Sequence, residues 1–212
     1  MKFDRHSLLL YAVTDRTWLG EKTLAQQVEA TLRGGATMVQ LREKHLSGEA
    51  LEAEAREILA LCRRYGVPFL LNDDVDLAVR IQADGVHVGQ DDLEPGQARA
   101  RLGPDKILGV SAHTVEQALR AQAAGADYLG VGAVFPTGTK GDAGAVSFDT
   151  LRAICAAVDI PVAAIGGIGP SNVKQLAGSG IQGAAVVSAL YAQPDPEQAA
   201  RTLRALLAEV VG

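Results

Sequence analysis

Short apolar runs that end in polar residues recur along the chain, separated by segments whose apolar positions return at helical spacing. Leu8-Leu9-Leu10-Tyr11-Ala12-Val13 is nearly continuous and stops at Thr14-Asp15, the pattern of a strand buried on both faces. Leu24, Val28 and Leu32 then recur at helical spacing before Gly34-Gly35, which predicts a helix and its stop. Thr37-Met38-Val39 leads next into Gln40-Leu41-Arg42-Glu43-Lys44. Strand side chains alternate between faces, so Val39 and Leu41 share one parity while Met38, Gln40, Arg42 and Lys44 share the other. If the first parity packs on helices, an amide, a guanidinium and an ammonium project together toward the strand's C-terminal end. An amphipathic segment from about Gly48 to Tyr65, carrying Leu51, Ala55, Ile58, Leu59 and Cys62, predicts the following helix.

The unit repeats. Residues 67–71 end in Asn72-Asp73-Asp74, 85–89 in Gln90-Asp91-Asp92, and 107–110 in Ser111-Ala112-His113. Residues 126–135 run into Pro136-Thr137-Gly138-Thr139-Lys140, 162–165 into Gly166-Gly167-Ile168-Gly169, and 183–187 into Ser188-Ala189-Leu190. Thr114 and Ser171 are placed as helix N-caps, Gly125 as a stop, and a last helix spans roughly 195–210. Eight strand-then-helix units about 25 residues apart predict an α/β fold, a single (β/α)8 TIM barrel over residues 1–212. A doubly wound sheet needs a glycine fingerprint opening its first helix, and Thr14-Asp15-Arg16-Thr17 has none. The approach to Lys140 lacks Walker spacing as well.

Composition narrows the function. With 23 glycines and only 4% aromatic residues, the chain suits close packing of strands and helices and offers no stacking platform for nucleic acid. A net charge of −5 without a basic stretch excludes polyanion binding by bulk attraction, so any anion site must be local. No apolar run approaches a membrane span and none at the N-terminus carries a cleavage-like site, so a cytoplasmic protein away from membranes is expected. Cys62 and Cys155 are too few for a disulfide framework and lack metal-ligand spacing; Cys155, in a stripe with Leu151, Ile154 and Val158, is expected to fill core. A homo-oligomer is left open.

In a barrel the C-terminal strand ends meet at one mouth, which gathers Gln40, Arg42, Lys44, Asn72, Asp73, Asp92, Ser111, His113, Thr137, Thr139, Lys140, Gly167 and Ser188. Two cradles separate within this set. Gly166-Gly167 and Val187-Ser188 follow strands seven and eight, where such barrels hold phosphate on backbone N–H groups, with Thr137 and Thr139 adding hydroxyls. Arg42, Lys44 and Lys140 supply cations, while Asp73 and Asp92 supply the hard oxygens that Mg²⁺ takes together with substrate phosphates. Capping the next helix is the competing role for Asp73, one that Asp74 can also fill. Of Asp91 and Asp92 at most one meets a metal, and periodicity does not choose between them. No Ser-His-Asp or Cys-His pairing is evident, and His6, His45, His87 and His113 lack ligand spacing. His87, alternating with Val86 and Val88, is expected as a hydrogen-bonded residue of the barrel floor.

Taken in order, Gln40-x-Arg42-x-Lys44, Asn72-Asp73, Gly89-Gln90-Asp91-Asp92, Gly109-Val110-Ser111-Ala112-His113, Phe135-Pro136-Thr137-Gly138-Thr139-Lys140, Gly166-Gly167-Ile168 and Val187-Ser188 resemble the motifs of the thiamine-phosphate synthase family. The resemblance covers roughly residues 8–205. It implies a barrel transferase that joins an aminopyrimidine diphosphate to a thiazole phosphate, releasing diphosphate, with Mg²⁺ as cofactor. By the same resemblance Gln40, Leu41, Arg42, Glu43, Lys44, Asn72, Ser111 and Lys140 hold the pyrimidine diphosphate. Arg42, Lys44, Ser111 and Lys140 are the catalytic group, Asp73 and Asp92 bind Mg²⁺, and the favouring of Asp92 over Asp91 comes from the family pattern alone. Thr137, Gly138, Thr139, Gly167, Val187 and Ser188 hold the thiazole phosphate, and Gly141 departs from the bulkier or charged residue common in relatives. The resemblance extends to a sister barrel, the thiazole tautomerase, which uses a histidine as proton shuttle and leaves Asp73, Asp92 and Lys140 without a task. A phosphosugar isomerase or epimerase, and a non-catalytic phosphate-binding barrel, are the remaining alternatives.

Overall fold

The computed structural model describes residues 3–137 and 145–211. Eight parallel strands close into a barrel in chain order: β1 Leu10–Val13, β2 Met38–Leu41, β3 Phe69–Asn72, β4 Gly85–Val88, β5 Ile107–Ala112, β6 Tyr128–Val131, β7 Val162–Ile165 and β8 Gly183–Val186. Around them lie α1 Leu24–Arg33, α2 Gly48–Tyr65, α3 Val75–Ile81, α4 Pro95–Leu102, α5 Val115–Ala123, α6 Phe148–Ala157, α7 Ser188–Tyr191 and α8 Pro196–Val211. Closure is made by β8 against β1, with Leu10 beside Ala184 and Ala12 beside Val186.

The strand parity read from β2 is the one observed. Met38 joins Leu8, Tyr11, Val13, Leu70, Tyr128, Ala163 and Ala185 inside the barrel, while Val39 and Leu41 pack in the layer between sheet and helices. Each fully buried Leu or Ile in that layer contributes about 1.5–3 kcal/mol, so a one-residue slip of β2 is strongly disfavoured. At the N-terminal end of the barrel, a 3-10 turn Arg5–Leu8 and the ring of Phe3, stacked 5.5 Å from Tyr128, cover the interior.

Local chemistry explains the helix limits. Thr23 and Gln26 form a reciprocal capping box at the start of α1, which turns Leu24, Val28 and Leu32 inward and ends at Gly34. Thr114 caps α5 through the Gln117 N–H, as its spacing predicts. Ser171 does not cap a helix. Asn172 instead accepts from the Gly169 N–H (2.9 Å) and donates to the Gly167 carbonyl (2.8 Å), a local side-chain competition that leaves only a 3-10 turn, Val173–Leu176. The sixth strand also stops short of residue 135, because the chain leaves the ladder after Val131 while Val134 and Phe135 still donate to the carbonyls of Ile165 and Gly166. Cys155 packs half-buried against the core beside Leu151 and Ile154, and burial pushes its thiol up to about 11. Among the described residues, no helix is long and apolar enough to cross a membrane.

Candidate active site

The C-terminal strand ends enclose a cavity of about 290 Å³. Its floor is a polar chain that crosses the barrel interior. Gln40 Nε2 donates to the Tyr11 hydroxyl, which lies 2.8 Å from the Tyr128 hydroxyl. Tyr128 in turn meets His87 Nδ1 at 2.9 Å, and His87 Nε2 meets Ser111 Oγ at 3.0 Å. His87 is thus the hydrogen-bonded floor residue its alternation predicts. Burial raises both phenols well above the ordinary tyrosine range, so they stay protonated.

Arg42 reaches the cavity wall from the end of β2. Its backbone N–H donates to Thr14 Oγ1 (2.9 Å), and its guanidinium lies 3.7 Å from the Asp15 carboxylate. The neighbouring residues of that segment point elsewhere, which strand alternation requires. Leu41 is buried under the helices, and Glu43 turns back to Arg16, whose guanidinium also reaches Glu54 of α2. Neither side chain lines the cavity, and Lys44 is exposed on the loop outside the cavity lining. Burial works to raise the Glu43 carboxyl, but the His45 N–H and Arg16 outweigh it and hold it below the usual range. At Glu54 burial prevails over Arg16, and the carboxyl is raised.

At the end of β3, Asn72 lines the cavity and donates to the Asp73 carboxylate. Asp74 caps α3 through the Leu77 N–H at 2.8 Å, so the capping role that competed for Asp73 belongs to its neighbour. Asp73 adopts φ +64°, a left-handed conformation uncommon outside glycine, and its N–H donates to the His87 carbonyl (2.8 Å). After β4, Asp91 lines the cavity, whereas Asp92 accepts from the Gly89 N–H at 2.7 Å and tightens the turn. Among the described residues, no three His, Cys, Asp or Glu side chains group closely enough to hold a metal by themselves.

Opposite, Gly166, Gly167 and Ile168 after β7 line the cavity with Val187 and Ser188, which open the one-turn α7 with no side-chain cap among the described residues. Gly167 sits at φ +65°, and a Cβ there would lie 2.5 Å from the Pro136 carbonyl, so this approach needs glycine. Thr137 and His113 line the same cavity. Gly138, Thr139, Lys140 and Gly141 lie outside the described residues.

Two features escape the sequence reading. Gln90 lines the cavity and donates to the Ser111 carbonyl at 2.6 Å. Tyr11 and Tyr128 carry the floor's polar chain, and the available signal was a phenol inside an otherwise apolar strand, since a buried Tyr hydroxyl needs a partner.

Comparison with known proteins agrees along nearly the whole chain. The family model described as thiamine monophosphate synthase matches residues 10–190. A thiamine-phosphate synthase of Ruminiclostridium cellulolyticum is 50% identical over 194 residues, 92% of each chain. One from Chloroflexus aurantiacus is 50% identical over 199 residues, 93% of this chain and 92% of its own. The solved structure of a thiamine phosphate pyrophosphorylase from Pyrococcus furiosus is 38% identical with a TM-score of 0.90, covering 98% of this chain and 99% of that one. With a family model spanning all eight strands and relatives half identical over nine-tenths of their length, the chain belongs to the thiamine monophosphate synthase family.

Proposed function

We propose that this protein condenses 4-amino-2-methyl-5-(diphosphooxymethyl)pyrimidine with a thiazole phosphate to give thiamine phosphate and diphosphate. The observation that carries the reading is one cavity with Arg42 on one wall and the Gly167–Ser188 cradle on another, over a floor of hydrogen-bonding groups. The pyrimidine sits on the floor at Gln40 and Ser111, with its diphosphate toward Arg42 and Asn72, and the family resemblance assigns Lys44 and Lys140 to the same diphosphate. The thiazole phosphate occupies the backbone N–H groups of Gly167 and Ser188, with Thr137 beside it, and the family resemblance assigns Thr139 to the same phosphate.

The bond between the methylene carbon and the diphosphate oxygen breaks with its electron pair leaving on diphosphate, and the amino-substituted ring carries the resulting positive charge. Arg42, Lys44 and Lys140 stabilise the charge that grows on the leaving group. The lone pair of the thiazole nitrogen then forms the new carbon–nitrogen bond. That nitrogen has no proton to lose, so the step needs no general base, and the chain contributes orientation and electrostatics.

Asp73 and Asp92 offer hard oxygens on consecutive strand ends, β3 and β4, joined by the Asp73 N–H bond to His87. Two carboxylates, with no third His, Cys, Asp or Glu grouped with them among the described residues, fit Mg²⁺, which would complete its shell with water and substrate phosphate. When bound, it neutralises charge on the departing diphosphate. The chain works as one barrel over residues 1–212, in the cytoplasm, on two small molecules and without nucleic acid or membrane. The tautomerase alternative is disfavoured because both His87 ring nitrogens are engaged, by Tyr128 and by Ser111.

Purified protein with both precursors and Mg²⁺ tests this by release of diphosphate and thiamine phosphate. Turnover is expected to vanish with chelator and to fall by orders of magnitude in Lys140→Ala. Conversion of the thiazole phosphate alone would favour the isomerase, and binding without turnover would favour a non-catalytic barrel.

A further inference from the structure

The floor joins two groups that face the ligand from nearly opposite sides of the barrel, Gln40 on β2 and Ser111 on β5. The link runs through Tyr11, Tyr128 and His87 with no break. Each phenol has one hydrogen, and neutral imidazole has one N–H and one bare nitrogen. The hydrogens of such a chain therefore have only two consistent arrangements.

With Gln40 Nε2 donating to Tyr11, a continuous row has Tyr11 donating to Tyr128 and Tyr128 to His87 Nδ1 across the contacts found. His87 must then carry its proton on Nε2 and donate to Ser111 Oγ, which leaves the Ser111 hydroxyl hydrogen for the ligand. Gln40 presents its Oε1 at the other end, and no donor among the described residues reaches that oxygen. Turning the Gln40 amide end for end reverses every bond in the row and makes Ser111 an acceptor toward the ligand. Both ends switch together, so the floor offers one acceptor and one donor. It never offers two donors unless a buried phenol loses its partner.

We infer that Tyr11 and Tyr128 are specificity-determining positioning residues: by coupling Gln40 to Ser111 they make the site select an amino-substituted over an oxo-substituted heteroaromatic ring. The inference rests on the functional reading above, in which a pyrimidine lies on this floor. An aminopyrimidine has a donor, its exocyclic amine, and an acceptor, the ring nitrogen para to the amine-bearing carbon, at opposite ends, and so matches Gln40 Oε1 and the Ser111 hydroxyl together. The oxo counterpart in its common lactam form places acceptors at both ends and matches neither arrangement.

The test measures dissociation constants of the aminopyrimidine diphosphate and its 4-oxo counterpart for the wild type, Tyr11→Phe and Tyr128→Phe. Each substitution removes one oxygen and frees the Gln40 amide to rotate independently of Ser111. The preference for amino over oxo is expected to fall at least about tenfold in both variants, since a site built to pair polar groups owes its discrimination to the groups it would leave unpaired. A merely structural role weakens both ligands alike and leaves the ratio unchanged. An unchanged ratio in both variants, each with a cooperative melt, overturns the inference while leaving the function standing. A wild type that turns over no aminopyrimidine diphosphate overturns the functional reading instead, and this inference with it.

Discussion

The Arg16 guanidinium lies against the Glu43 carboxylate, whose side chain is only 1% exposed, so a buried ion pair braces the loop that follows Arg42. Glu43 also accepts from the Leu46 N–H at 3.2 Å, which ties the loop's turn to the same carboxylate. Removing the cation leaves a buried charge without its partner. Arg16→Ala is expected to cost about 3 kcal/mol, read from the urea midpoint. Because the loop also carries Lys44 and follows Arg42, KM for the pyrimidine diphosphate should rise in that variant while KM for the thiazole phosphate holds.

The two carboxylates around Arg16 should answer pH with opposite slopes. Glu54 is raised by burial, against the pull of Arg16, and its Oε2 is buried with no hydrogen-bond partner among the described residues. A raised acid binds its proton more tightly folded than unfolded, so it subtracts stability as pH climbs through the carboxylate range. At Glu43 burial is outweighed by the His45 N–H and Arg16, so its contribution is present at neutral pH and is lost as pH falls through its lowered folded value. Relative to wild type, Glu54→Gln should therefore gain stability between about pH 4 and pH 7, and Glu43→Gln should lose it. Urea midpoints across that range decide the matter, and parallel slopes would refute it.

Asp73 separates stability from activity. Its left-handed φ of +64° suits glycine better than any residue with a Cβ, yet a carboxylate stands there beside Asn72. Asp73→Gly is expected to be about 1–2 kcal/mol more stable than Asp73→Ala, since only the alanine retains the Cβ clash. Both should lose Mg²⁺-dependent turnover by at least about a hundredfold, the scale of removing a metal that stabilises a leaving group. Thermal melts and the diphosphate assay on the same two preparations check the two halves independently.

What the sequence made legible was periodic. Alternation along β2 put Gln40 and Arg42 at the cavity and Val39 and Leu41 under the helices, because one slip would expose a whole apolar face. Turn chemistry was less legible. Ser171 looks like a cap, but Asn172 holds two better-placed backbone partners. At Asp91-Asp92, alternation ends where the strand does, and only the fold reveals that Asp92 accepts from the Gly89 N–H through one oxygen while Asp91 lines the cavity. The segment Gln40–Lys44 shows the same limit, since a motif quoted whole includes Glu43, whose partner Arg16 is remote in sequence. The floor was illegible for a different reason: its hydrogen bonds join β1, β2, β4, β5 and β6, and no local pattern encodes contacts of that separation.

Gly109 holds the floor in place by having no side chain. A Cβ built there would fall 2.2 Å from both Cζ and the hydroxyl oxygen of Tyr128, and the backbone cannot yield because β5 is paired on both sides. Tyr128 cannot yield freely either, since Phe3 stacks on its ring and Tyr11 and His87 hold its hydroxyl. Gly109→Ala should therefore cost about 1–3 kcal/mol by overpacking, and it should displace the phenol from His87. Withdrawing the ring relieves the clash. The double variant Gly109→Ala with Tyr128→Leu is expected to be more stable than the sum of the two single losses by more than about 0.5 kcal/mol, the signature of residues in contact. Additive urea midpoints would mean that β5 moves instead of the ring, and that Gly109 does not position Tyr128.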